Sequence, residues 1–100
     1  MEVDKTRLRE FCSKWRITEF WFFGSITRPE EFRSDSDVDV LVRFEKGARW
    51  RLYDVLEMQE ELEGVFGRKV DLVELDAVEN SPNPYRKRSI LRSKVELDVA

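Results

Sequence analysis

The chain has 100 residues, of which 39% are charged and 41% hydrophobic, and carries a formal net charge of −3. This suits a single globular domain spanning residues 1–100, and it gives no global electrostatic case for binding duplex DNA. One cysteine and no histidine exclude an internal disulfide, a multi-cysteine zinc site, His-ligated metals and Ser-His-Asp or Cys-His catalysis. Any chemistry must use carboxylates, hydroxyls, backbone groups, Lys or Arg.

Leu8, Phe11, Cys12 and Trp15 follow the i, i+3, i+4, i+7 spacing of one buried face, which predicts a helix over Thr6 to Trp15. Cys12 lies on that apolar face and reads as inert packing. Ile17 to Phe23 is aromatic and β-rich and stops at Gly24, so a buried strand is expected there. Within it Trp21 and Phe23 point opposite to Phe20 and Phe22, so both faces of that strand need cover. Ser25 to Ser36 is polar and contains Pro29, the composition of a loop with room for a short helical turn. Asp37 to Phe44 reads as a second strand, with Val38, Val40 and Val42 alternating against Asp37, Asp39 and Leu41.

Leu52, Val55, Leu56, Leu62 and Phe66 keep helical spacing up to Gly67, a suitable C-terminal cap. Trp50 just before them is either an exposed aromatic or a helix-end packing residue. Lys69 to Leu75 predicts a third strand, Asn80 to Pro84 a breaker cluster, Tyr85 to Ser93 a short helix and Val95 to Val99 a last strand. The order suggests an α+β sandwich, with helices against a central sheet. No apolar run approaches a membrane span and no leader-like segment is evident, so a cytoplasmic protein is expected.

The chemistry concentrates in four aligned features. Asp37 and Asp39 are two apart on a strand, so their carboxylates share a face and repel unless a cation stands between them. Alone, an Asp-x-Asp is more often a solvated edge or turn. Asp71 interrupts Val70-Asp71-Leu72-Val73; such an acid either needs a partner or metal, or faces out from an edge strand. If the third strand lies beside the second, Asp71 completes a three-carboxylate set. Such a set suits Mg²⁺, and two ions roughly 3.5–4 Å apart serve in-line phosphoryl chemistry. Gly24-Ser25 follows the aromatic strand directly, where glycine allows close approach of a phosphate and the next amides and hydroxyl donate to it.

In combination, Phe23-Gly24-Ser25, Ser36-Asp37-Val38-Asp39 and Asp71 resemble the minimal nucleotidyltransferase family of the DNA polymerase β superfamily. The tail from Asn83-Pro84-Tyr85 to Ile90-Leu91-Arg92 is similar to that family's closing helix. The resemblance implies a mixed sheet of three to four strands flanked by helices. It also implies Mg²⁺, a nucleoside triphosphate, usually ATP, and transfer of a nucleoside monophosphate to a hydroxyl. Asp37, Asp39 and Asp71 would be metal ligands, with Asp71 also accepting the acceptor's proton. Gly24, Ser25, Arg28 and Ser36 would bind nucleotide. Members commonly act as antitoxins paired with a HEPN-domain ribonuclease, some adding AMP to a toxin tyrosine. The loop departs from the family pattern: Pro29 follows Arg28 where a glycine is usual, and the segment is longer by a residue.

Two other readings stand beside this one: an antitoxin that neutralises its toxin by covering it, and a structural domain without nucleotide. The segment from Tyr85 to Lys94 is basic, with Arg86, Lys87, Arg88, Arg92 and Lys94, whereas Asp54 to Glu79 is strongly acidic. These are either two opposite-sign surfaces that meet a partner or RNA, or ordinary solvated helix faces.

Overall fold

The computed structural model describes residues 3–28, 30–33 and 35–97. The first helix, α1 (Lys5–Lys14), starts where the Asp4 carboxylate accepts a hydrogen bond from the Arg7 N–H at 3.1 Å. It ends where Arg16 takes a left-handed φ of 58° and turns the chain into strand β1 (Ile17–Phe23). A 3-10 turn (Gly24–Thr27) and a loop lead to β2 (Val38–Phe44). Helix α2 (Leu52–Phe66) is opened by the Asp54 carboxylate, which accepts from the Arg51 N–H at 2.9 Å, and closed by Gly67 at φ 68°. Strand β3 (Val70–Glu74), α3 (Leu75–Glu79), α4 (Pro84–Ser93) and β4 (Val95–Leu97) complete the described chain.

The strands form one mixed sheet in the order β3-β2-β1-β4. β1 runs antiparallel to β2 and β4, while β2 and β3 are parallel and joined through α2, a βαβ crossover. Both faces are covered, as the aromatic strand requires. On one, α1 and α2 pack against Phe20, Val38, Val40 and Val42, with Leu8, Met58 and Leu62 fully buried between. On the other, α3 and α4 bring Leu75, Val78 and Ile90 onto Trp21, Phe23 and Leu41. Leu41 is 0% exposed, so the alternation in β2 separates two cores and not a core from solvent.

The expected α+β class and the long elements hold. The third strand stops one residue earlier than Leu75, because Leu75 and Val78, three apart, turn inward as the buried side of the short helix α3. Trp50 is a packing residue, 5.1 Å from Trp15 and 6.3 Å from Phe44 between ring centroids. Cys12 is buried, and burial pushes its thiol up to about 12. Pro29 of the loop and residues 98–99 of the expected last strand lie outside the described residues. No helix among the described residues is long and apolar enough to cross a membrane.

β3 is an edge strand, and α2 closes its open side. The Val70 N–H donates to the Glu63 carboxylate at 3.2 Å and the Leu72 N–H to the Gln59 side-chain oxygen at 3.0 Å. α1 and α2 are tied together by Glu61, which accepts from the Trp15 indole N–H at 2.7 Å and from the Lys14 ammonium.

Candidate active site

β1 ends at buried Phe23, and Gly24 then reverses the chain at φ 73°. The 3-10 turn is fastened by the Thr27 hydroxyl, which donates to the Gly24 carbonyl at 2.7 Å, and by the Arg28 N–H, which donates to the Ser25 carbonyl at 2.9 Å. Strand pairing sets Phe23 opposite Asp39 and Asp39 opposite Asp71. Paired residues of neighbouring strands project to the same face. The turn, Asp39 and Asp71 therefore meet at one end of the sheet, on the side of α3 and α4; β2 starts one residue later than expected, so Asp37 stands just before the strand, near enough for its charge to act on Asp39.

Glycine at position 24 has a specific cause. A Cβ there would collide with the Asp39 Oδ2 and stand 3.2 Å from its Cγ. The positive φ and this contact both require the absent side chain. The carboxylate of Asp39 thus lies in a cradle that only glycine leaves open.

Asp39 is half-buried, whereas Asp37 and Asp71 are exposed. Of the two alternatives for Asp71, the second holds: it interrupts an apolar strand on the exposed side of an edge strand, where water meets its charge. The electrostatic strain falls on Asp39 instead. Burial raises its carboxyl above the ordinary range, and the charges of Asp71 and then Asp37 raise it further, with Arg28 acting the other way.

A divalent cation fits this edge chemically. The donors are all hard oxygens, and a positive charge among them would turn the mutual repulsion into attraction. Among the described residues no group of three acids already stands in ligating geometry. The edge is open, and rotation of the exposed Asp37 and Asp71 side chains is what would close it.

Of the residues expected to bind nucleotide, Gly24 and Ser25 stand at the turn. Arg28 is exposed, forms an ion pair with Glu31, and its charge reaches Asp39. Ser36 serves the loop: its hydroxyl accepts from the Arg33 N–H at 2.9 Å. Arg68 is a positioning residue outside the motifs that the sequence singles out. Its guanidinium donates to the Arg33 carbonyl at 2.6 Å and lies 4.4 Å from the Phe32 ring centre, binding the loop to the start of β3. Its one signal in the sequence is a basic residue directly before the strand that bears Asp71.

Comparison with known proteins gives the following likenesses. Residues 5–97 match the nucleotidyltransferase domain family. The protein adenylyltransferase MntA of Thermococcus cleftensis is 42% identical over 73 residues, 73% of this chain and 68% of that one. A chain of a toxin–antitoxin crystal structure with AMP-PNP superposes with a TM-score of 0.70 at 17% identity, covering 94% of this chain and 72% of that chain. A chain from a complex of a tri-AMPylated Shewanella oneidensis HEPN toxin with an MNT antitoxin superposes at 0.62 and 15% identity, covering 92% and 66%. At such identities the two structures bear on the fold alone.

Proposed function

The chain belongs to the nucleotidyltransferase domain family, and on that premise we propose that it transfers AMP from ATP to a hydroxyl of a partner protein. The observation that carries this is the register that sets Asp71 opposite Asp39 beside the Gly24-Ser25 turn. Asp37, Asp39 and Asp71 would hold Mg²⁺, one ion or two. When bound, the ion neutralises phosphate charge and favours departure of pyrophosphate.

The residues of the chain divide the remaining work. The amides after Gly24 and the Ser25 hydroxyl donate to the triphosphate, and Arg28 adds a positive charge at the mouth. Asp71, exposed and next to Asp39, takes the proton of the acceptor hydroxyl on its carboxylate oxygen. The hydroxyl oxygen then bonds the α-phosphorus as the bond to the β-phosphate bridge breaks, and pyrophosphate leaves with the electron pair.

The partner in this reading is a HEPN-type toxin, and the chain is its cytoplasmic antitoxin. The T. cleftensis adenylyltransferase and the AMPylated HEPN complex support it by likeness. The test is transfer of labelled AMP from ATP and Mg²⁺ to a co-purified partner. Asp39→Asn should lower the rate by at least about a hundredfold with the fold intact; equal labelling by both proteins sinks the proposal.

The loop after Ser25, where Pro29 follows Arg28 and the segment is a residue longer than the family pattern, motivates one second reading, in which the chain neutralises the toxin by binding alone. A triple Asp37→Asn, Asp39→Asn, Asp71→Asn variant separates the two. Masking predicts continued protection of cells by the variant, and transfer predicts a complex that no longer protects.

A further inference from the structure

A groove of about 640 Å³ runs from the 3-10 turn along α4, and its wall carries four cations, Arg28, Arg88, Arg92 and Lys94, and no carboxylate; among the described residues Arg28 alone of them is paired, with Glu31 from outside the wall. The sequence explains the convergence. Tyr85, Arg88 and Arg92 stand at i, i+3 and i+7, one stripe of the helix. Ile90 turns the opposite way into the core beneath. Among the described residues neither Arg88 nor Arg92 joins an ion pair. Lys94 holds its ammonium 4.8 Å from the Trp21 ring centre, at the exit of the helix.

This concentration of positive charge is found on a chain whose net charge is −3. Clustered like charges repel, so such a wall costs stability unless an anion relieves it. The volume is that of a small-molecule site. The lining offers guanidinium forks suited to phosphate oxygens. The groove adjoins the aspartate edge, since Thr27 and Arg28 in its wall directly follow the turn that begins at Gly24.

We propose that this groove is a polyphosphate subsite in which Arg88, Arg92 and Lys94 hold the β- and γ-phosphates while the α-phosphate lies at the aspartate edge. The same cations keep pyrophosphate after the α-phosphorus bond to the bridging oxygen has broken. The placement of the α-phosphate rests on the transferase reading; binding of the anion in the groove does not require turnover. The groove makes triphosphates better ligands than monophosphates, because AMP has no group that reaches α4.

The experiment is calorimetric titration of the full chain with inorganic tripolyphosphate and, separately, with AMP, without metal. Wild type should bind tripolyphosphate saturably. Arg88→Gln/Arg92→Gln should bind it at least about tenfold more weakly, with its AMP affinity unchanged and its ligand-free melting temperature no lower than wild type. Arg88→Lys/Arg92→Lys should recover part of the loss. No saturable binding by wild type, or equal binding by the Gln variant, overturns the proposal. So does a Gln variant that raises KM for the protein acceptor but not for ATP, which would make the groove an acceptor site. RNA retention lost in the Gln variant and not displaced by tripolyphosphate overturns it as well. If tripolyphosphate binds as expected and no AMP is transferred to any partner, the transferase reading fails and the subsite stands.

Discussion

Gly24 and Asp39 are a single structural unit. The left-handed backbone of one lies beside the carboxylate of the other, and the glycine cannot gain a side chain while that carboxylate keeps its place. Gly24→Ala must place a methyl group into Asp39 Oδ2 and hold alanine at φ 73°. A cost of about 1–3 kcal/mol is expected, read as a lower denaturation midpoint, together with a loss of AMP transfer beyond what reduced folding explains. The sequence carried the glycine but not this reason for it, since a contact across two strands depends on register. Asp71 illustrates the same limit. Its neighbours suggest burial, yet its position on an edge strand exposes it, and strand order is not written in a five-residue run. The desolvated acid is Asp39, which from sequence alone was indistinguishable from Asp37.

At the scale of elements, length decided legibility. α1 and α2 each repeat an apolar face over several turns, and Gly67 marks the end of α2. α3 has a single pair of inward residues, Leu75 and Val78, too short for any period to emerge, so it merged with the preceding strand. α4 was legible from its start, where the Asn83 side chain accepts from the Tyr85 and Arg86 amides ahead of the helix. The link between α1 and α2 was not legible, because Trp15 and Glu61 are far apart in the chain. Burial works to raise the Glu61 carboxyl, but the Lys14 and Trp15 hydrogen bonds and the Lys14 charge together hold it below the ordinary glutamate range. A group depressed in the folded state contributes stability above its unfolded pKa and loses it as pH falls through the folded value. Glu61→Gln should therefore cost about 1 kcal/mol at neutral pH and progressively less as pH drops below about 4. Urea titrations of both proteins at a series of pH values measure the convergence; a constant gap excludes the linkage.

For the whole molecule, the sheet with helices on both faces is what the aromatic run in β1 demanded. Two small cores, one under α1 and α2 and the other under α3 and α4, leave the end of the sheet bearing the aspartates uncovered. A ligand that binds there only in the folded state must stabilise the entire domain by mass action. At a hundredfold excess over Kd, Mg·ATP should add about 2.7 kcal/mol and raise the melting temperature by several degrees. EDTA should remove most of that rise, and a melting temperature indifferent to Mg·ATP would argue for a domain that binds no nucleotide.

The side chains of Glu63 and Gln59 that accept the Val70 and Leu72 N–H groups have an effect outside the fold. A bare edge strand is a template for another chain, whether a partner's strand or a misfolded neighbour. Here α2 has already occupied two of the donors such a strand would need. Growth of the sheet beyond β3 is thereby blocked beside the very strand that bears Asp71, so a partner must approach that carboxylate through side chains and loops, not by continuing the sheet.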